Sequence, residues 1–184
     1  MWFRTAKCGT RSFLNFLRNN TKVGVHARDI CFDESWKDYF KFTIVRNPWD
    51  RLLSTWRDKV ENQWTKWSRE GPKEYHKRRI WIYKKYQNKD FKFFVKNVIP
   101  SRERHTKLQI NLFHADVNFI GRFENLQADF NIICDKIGIP QQNLPHKNKT
   151  KHKHYTEYYD EETREIVAEK YAKDIEYFGY KFGE

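Results

Sequence analysis

The most restrictive feature of this sequence is a strand that runs directly into a helix between residues 40 and 60. Residues 40–46 are rich in aromatic and β-branched side chains and end on the polar Arg46, which is typical of a buried strand. Asn47 can cap a helix and Pro48 suits its first position, so no loop separates the two elements. The segment therefore predicts polar groups at the carboxyl end of a strand, beside the start of a helix.

A strand followed by a helix is predicted at two further places. Residues 1–3 read as the end of a short strand, followed by the loop Lys7–Ser12 and an apolar-periodic run. Residues 117–121 form another short strand before a helix that ends at Gly138. Parallel neighbours require such crossover connections, so we expect an α/β fold with a mostly parallel central sheet flanked by helices. Ligands of such folds bind at the carboxyl ends of the strands.

Two further helices and the extent of the domain follow from spacing and length. A helix is expected from about Asp90 to before Pro100, and another from Asp160 to Tyr177. At 184 residues the chain has the length of one domain, so we predict a single domain over residues 1–184. No apolar run reaches the roughly 18 residues of a membrane span, and three scattered cysteines indicate a reducing compartment and no zinc site.

The formal charge of +12 favours anionic partners, although charge alone does not choose among nucleic acids, phosphorylated cofactors and acidic glycans. The loop Lys7–Ser12 joins a strand to a helix, where amide hydrogens and the helix dipole favour an anion. Gly9 would let the backbone approach it, and Lys7 would add positive charge. The loop is P-loop-like, but the full ATP-binding pattern GxxxxGK[ST] is absent.

A second phosphate site is predicted where the strand meets the helix. Ser54 follows Arg46 by eight residues, about two helical turns at ~1.5 Å per residue, which brings both within reach of one bound group. A guanidinium and a hydroxyl that converge suit a phosphate monoester. Either element alone has a structural explanation, as a helix cap or as an exposed serine, but together they form a paired nucleotide signature.

This pair resembles the nucleotide-binding signature of sulfotransferases that use 3′-phosphoadenosine-5′-phosphosulfate. The sequence of residues 45–54, VRNPWDRLLS, is similar to that of the carbohydrate branch, close to the heparan sulfate 2-O and chondroitin enzymes. Residues 120–126, the loop at 144–150 and the ending 174–180 resemble the same branch. Two departures are Arg11, where threonine or serine is usual, and the very short first strand, which suggests a minimal or truncated form.

The resemblance implies transfer of the sulfuryl group to a hydroxyl, or less readily an amine, of a glycan or other polar acceptor. No metal is expected in this in-line displacement. The resemblance also implies the nucleotide-binding residues, which are Lys7, Cys8, Gly9, Thr10, Arg11, Ser12, Arg46, Ser54, Lys149 and Thr150. Lys7 would neutralise charge on the leaving phosphate. A base must take the acceptor proton, and a histidine suits this at neutral pH, with His26 as first candidate and His105 as second.

A basic and aromatic stretch, Trp64–Lys85, is the predicted acceptor surface, with a solvated helix face as the alternative. Its tryptophans and basic residues also suit a nucleic-acid-binding module, although the recognised motifs are missing and no nucleic acid is expected. A P-loop-like kinase is a third possibility. The sequence leaves the oligomeric state open. We expect a soluble, cytoplasmic protein, with a truncated Golgi-type enzyme as the alternative.

Overall fold

The computed structural model describes residues 1–10, 12–13, 16, 37–61, 84–100, 103–113, 116–144 and 153–184. The strands and α-helices in these ranges are β1 (Trp2–Phe3), β2 (Phe42–Val45), α1 (Pro48–Trp56), α2 (Phe91–Asn97), β3 (Phe119–Arg122), α3 (Leu126–Ile137), α4 (Glu161–Lys170) and α5 (Ala172–Phe178). Four shorter turns of π or 3₁₀ helix are Arg57–Glu61, Gln109–Leu112, Phe123–Asn125 and Tyr155–Tyr158.

The three strands form one parallel sheet in the order β1, β2, β3. Trp2 is opposite Phe42, and Val45 is opposite Arg122, so the carboxyl ends of the strands share one edge. Parallel neighbours need long crossovers, which the chain provides between consecutive strands. The predicted α/β class with a parallel sheet is confirmed, and strands β2 and β3 are each shorter than the sequence pattern indicated.

The described residues group into two compact units, each made of two stretches of chain. The first unit comprises Met1–Arg46 with Gln109–His152, and it contains the whole sheet and α3. Its core is largely aromatic: the Phe130 ring packs edge-on against Phe13 at 5.1 Å and Phe16 at 4.6 Å between centroids. One domain over the full chain stays a prediction.

The second unit comprises Asn47–Leu108 with Lys153–Glu184 and is built from α1, α2, α4 and α5. Its apolar core is a cluster of buried side chains from these helices, among them Leu52, Leu53, Phe94, Val95, Val167 and Tyr171. Asn47 caps α1 as predicted, since its side chain accepts a hydrogen bond from the Trp49 amide at 3.1 Å. Asp90 caps α2 in the same way through the Phe93 amide at 2.8 Å.

The single helix predicted from Asp160 to Tyr177 is wrong, because the structure has two helices, α4 and α5, that meet at Tyr171. Tyr171 leaves the helical region, with φ −116° and ψ 19°, and its ring is buried. Its hydroxyl donates to the Thr106 carbonyl oxygen at 2.8 Å, so a contact distant in sequence accompanies the break. The apolar spacing alone contained no sign of this contact.

Close packing at Gly121 in β3 yields a stability test. A Cβ atom there would lie 2.5 Å from the Ile44 Cδ1 atom, and 3.2 Å from Asp129 Cβ on α3. We expect Gly121→Ala to lower the free energy of unfolding by about 1–3 kcal/mol, the usual cost of overpacking a core. Ile44→Val removes the Cδ1 atom, so the double variant should lose less stability than the sum of the two single changes. Urea unfolding of the four proteins measures this, and strictly additive losses would contradict the proposed clash.

Candidate nucleotide and catalytic site

The loop after β1 has an unusual backbone, with left-handed φ angles of +72° at Lys7 and +69° at Gly9. A Cβ at Gly9 would lie 2.9 Å from Leu126 Cδ2, so a larger residue would have to displace the leucine side chain and would also be strained at this positive φ. A lysine with positive φ is uncommon and strained, and such strain is concentrated at ligand sites. The loop is therefore built to keep a lysine and a glycine in one fixed turn.

Hydrogen bonds inside the loop show where the following helix starts. The Ser12 and Phe13 amides both donate to the Gly9 carbonyl oxygen, at 3.0 and 3.2 Å. The Thr10 hydroxyl donates to the Thr5 carbonyl oxygen at 3.0 Å. These two amides and this hydroxyl hydrogen are thus used within the first turn in the structure described, and the predicted contacts of Thr10 and Ser12 with phosphate stay predictions.

Arg46 lies beside this loop, as the pairing of two parallel strands requires. Its Nη1 donates to the Lys7 carbonyl oxygen at 3.0 Å, and its guanidinium carbon lies 4.1 Å from the centre of the Phe123 ring. The side chain is buried against these groups. The structure therefore brings together Lys7 and Arg46, two cationic residues that the sequence assigned to two different phosphates.

Gln109 joins Arg46 and the loop, a role that no sequence pattern indicates. The Arg46 amide donates to Gln109 Oε1 at 3.0 Å, and Gln109 Nε2 donates back to the Arg46 carbonyl oxygen at 2.8 Å. The Cys8 thiol also donates to Gln109 Oε1, at 3.4 Å. This role depends on partners 63 and 101 residues away, which local spacing does not reveal.

The remaining predicted residues divide between the second unit and the undescribed ranges. Ser54 is half-buried on α1 in the second unit. Its convergence with Arg46 on one phosphate stays a prediction. Most of the proposed acceptor stretch lies outside the described residues, apart from Lys84 and Lys85. So do four candidate site residues: Arg11, His26, Lys149 and Thr150.

His105, the second base candidate, is buried in the second unit and forms a pair with Glu103. Its Nδ1 lies 2.7 Å from both Glu103 carboxylate oxygens, and its backbone amide donates to the same carboxylate at 2.7 Å. An ionised carboxylate accepts only, so Nδ1 carries the hydrogen and Nε2 is left to accept a proton. Burial lowers the pKa of His105 to about 4, although Glu103 acts in the opposite direction. The ring is thus neutral at pH 7 but a weak base.

The turn that carries this pair is held by Arg51 on α1. The side chain of Arg51 is fully buried. Arg51 donates to the carbonyl oxygens of Lys107 at 2.8 Å and Arg104 at 3.1 Å. A helix pattern identifies carboxylate partners of an arginine but not carbonyl partners more than 50 residues away, so the burial was not predictable.

The residues in the first unit suit a nucleotide with two anionic ends. A lysine and a glycine with left-handed φ angles and a partly desolvated guanidinium are groups that suit a phosphate. The pattern of donors and cations is therefore compatible with a phosphosulfate nucleotide. Within the described ranges, no three histidine, cysteine or acidic side chains converge as a metal site would require.

Comparison with known proteins identifies the family. The profile of the sulfotransferase family matches residues 3–181, nearly the whole chain, so this chain belongs to the sulfotransferase family. It is 30% identical to carbohydrate sulfotransferase 14 of Danio rerio over 164 residues, covering 78% of this chain and 44% of that protein. Carbohydrate sulfotransferase 9 of Homo sapiens is 28% identical over 193 aligned positions, covering 89% and 40% respectively. The chain thus spans less than half the length of either relative, and no solved structure matches it.

Two smaller findings concern the helices and the cysteines. Among the helices in the described ranges, none is long and apolar enough to cross a bilayer. Cys8 and Cys134 carry thiols that are not joined in a disulfide, and both are buried. The cytoplasmic location expected from the sequence stays a prediction.

The low pKa of His105 predicts an acid-sensitive fold. The native ring stays neutral down to about pH 4, whereas the unfolded histidine binds a proton below about 6.5. The free energy of unfolding should therefore fall as the pH is lowered from about 6.5 to about 4. His105→Asn keeps a donor near Nδ1 without titrating, so its stability should depend less on pH in this window. Urea unfolding at several pH values tests this, and equal slopes for both proteins would contradict it.

Proposed function

We propose that this chain transfers the sulfuryl group of 3′-phosphoadenosine-5′-phosphosulfate to a hydroxyl of a glycan. The observation that supports this most is the contact between Arg46 and the Lys7 loop, at 3.0 Å from guanidinium to carbonyl, within a chain of the sulfotransferase family. The names of the two relatives support a carbohydrate acceptor. Donor, acceptor and reaction are all part of the proposal.

The two cationic residues would divide the nucleotide between them. The loop of Lys7, Cys8 and Gly9 would hold the 5′-phosphosulfate, and Arg46 with Ser54 would hold the 3′-phosphate. A guanidinium presents several donors in a fixed plane and binds a dianionic phosphate better than a single ammonium does. Recognition of the 3′-phosphate is therefore assigned to Arg46, and Thr10, Arg11, Ser12, Lys149 and Thr150 are proposed as additional contacts.

The residues of this chain would stabilise the charge on the leaving phosphate and remove the proton of the acceptor hydroxyl. When bound, the donor nucleotide supplies the sulfuryl group and a phosphate as leaving group. Lys7 would neutralise the charge that grows on this phosphate, while the loop backbone keeps it aligned with the incoming hydroxyl. A histidine would take the hydroxyl proton as the new oxygen–sulfur bond forms.

His26 remains the first candidate for this base, and His105 the second. A useful base has a pKa near the working pH, and the pKa of about 4 makes His105 a weak one in the structure described. Glu103 nevertheless fixes the tautomer that leaves Nε2 as acceptor, which is the arrangement that a general base requires. The acceptor itself is proposed to bind on the stretch Trp64–Lys85, whose rings and charges suit an anionic sugar chain.

Selectivity for the 3′-phosphate is the first expected result. Adenosine 3′,5′-bisphosphate should raise the melting temperature by several degrees at a hundredfold excess over its Kd, equivalent to about 2.7 kcal/mol. AMP lacks the group that Arg46 is proposed to hold, so it should raise the melting temperature far less. Arg46→Ala should remove most of the difference between the two nucleotides.

Lys41→Ala is the matched control, because it removes a positive charge just before the opposite end of β2. This variant should keep the selectivity of the wild type. Thermal shift measurements on the wild type, Arg46→Ala and Lys41→Ala with each nucleotide test this prediction. Equal shifts by both nucleotides in the wild type, or equal losses in both variants, would contradict the assignment of the 3′-phosphate to Arg46.

The identity of the base is the second expected result. His26→Ala should lower turnover by roughly 10²-fold or more, the usual effect of a lost general base, and leave nucleotide affinity nearly unchanged. Lys7→Ala should impair both, since its charge meets the nucleotide before and during transfer. Transfer of labelled sulfate to chondroitin and heparosan measures turnover. If His26→Ala keeps wild-type turnover and pH profile, His26 is excluded, and His105→Asn should show the loss instead.

A further inference from the structure

Gln109 is completely buried and uses both ends of its side-chain amide on a single backbone residue. Its oxygen accepts from the Arg46 amide at 3.0 Å, and its nitrogen donates to the Arg46 carbonyl oxygen at 2.8 Å. This is the hydrogen-bond pattern by which a neighbouring strand would pair with Arg46. The Phe42 amide and the Ile44 carbonyl oxygen of β2 face β1, and Arg46 is next in this alternation, so Gln109 continues the pairing on the β1 side of the strand.

At neutral pH an amide side chain suits this position best. The buried amide and carbonyl of Arg46 both need partners, since a buried backbone group without a hydrogen bond destabilises the fold. Asparagine and glutamine are the side chains that present a donor and an acceptor in one plane, whereas an ionised glutamate only accepts. The partners also assign the orientation of the Gln109 amide, because its oxygen must face the Arg46 N–H.

The same oxygen joins Arg46 to the loop after β1. The Cys8 thiol donates to Gln109 Oε1 at 3.4 Å, while the Arg46 guanidinium donates to the Lys7 carbonyl oxygen at 3.0 Å. Arg46 is thus connected to the loop twice, through its backbone by way of Gln109 and through its own side chain. If the guanidinium turned toward a phosphate, the connection through Gln109 would remain.

We propose that Gln109 is a positioning residue for the nucleotide, which keeps Arg46 and the Lys7 loop at the separation that the 3′- and 5′-phosphates require. The inference rests on the proposed function. A side chain that served only stability would affect all nucleotides alike. A residue that sets the distance between two phosphate sites affects most the ligand that occupies both.

The test compares the affinities for adenosine 3′,5′-bisphosphate and AMP by titration calorimetry, well below the melting temperature of each protein. Gln109→Met preserves the approximate volume but removes donor and acceptor. It should weaken binding of the bisphosphate at least tenfold more than binding of AMP. Asn118→Leu is the control, because Asn118 Oδ1 accepts from the Lys41 amide at 2.8 Å, just before the opposite end of β2. This control should keep the wild-type ratio.

Gln109→Glu provides a second variant with a readout that depends on pH. As a carboxylate it places an acceptor opposite the Arg46 carbonyl oxygen, whereas the protonated acid donates there as glutamine does. The ratio of its affinity for the bisphosphate to its affinity for AMP, divided by the same ratio in the wild type, should rise toward one as the pH falls. If the wild type prefers the bisphosphate and both variants keep that preference at every pH, Gln109 does not have the proposed role. A wild type without the preference overturns the proposed function and this inference with it.

Discussion

The parallel pairing of β2 with its neighbours is the constraint on which the rest of the site depends. Because the strands are short, side chains complete the pairing that the backbone begins. The Thr43 hydroxyl donates to the Phe3 carbonyl oxygen at 2.9 Å, and Gln109 pairs with Arg46 beyond the end of the strand. This pairing brings Arg46 beside the loop of Lys7, so two residues that are 39 positions apart and are proposed to bind phosphate meet at one edge of the sheet.

Electrostatics explains why this edge suits an anion. The loop carries a lysine at a left-handed turn, and the guanidinium of Arg46 is buried against Phe123. In a chain with a formal charge of +12 the long-range field raises the local concentration of anions, and partial burial of the Arg46 guanidinium strengthens its attraction for a bound phosphate. Rigid loop geometry and positive charge thus arise from the same few residues.

The sequence predicted the elements whose signals are local. Asn47 and Asp90 begin helices as capping residues, and Gly138 ends α3 in a left-handed conformation. What it missed depends on contacts between distant residues: the break between α4 and α5, the buried arginine on α1 and the amide that pairs with Arg46. In each case the partner is a backbone group more than 50 residues away, which neither periodicity nor charge pattern records. The carboxyl ends of adjacent parallel strands were predictable because topology alone brings them together.

The most direct test of the central claim is a crystal structure of the protein with adenosine 3′,5′-bisphosphate. We expect the 5′-phosphate within about 2.7–3.2 Å of donors in the loop from Lys7 to Ser12, and the 3′-phosphate at the same distance from the Arg46 guanidinium. The Gln109 amide should remain paired with the Arg46 backbone. A nucleotide bound elsewhere, or a 3′-phosphate that does not contact Arg46, would contradict the claim that these two strand ends form the donor site.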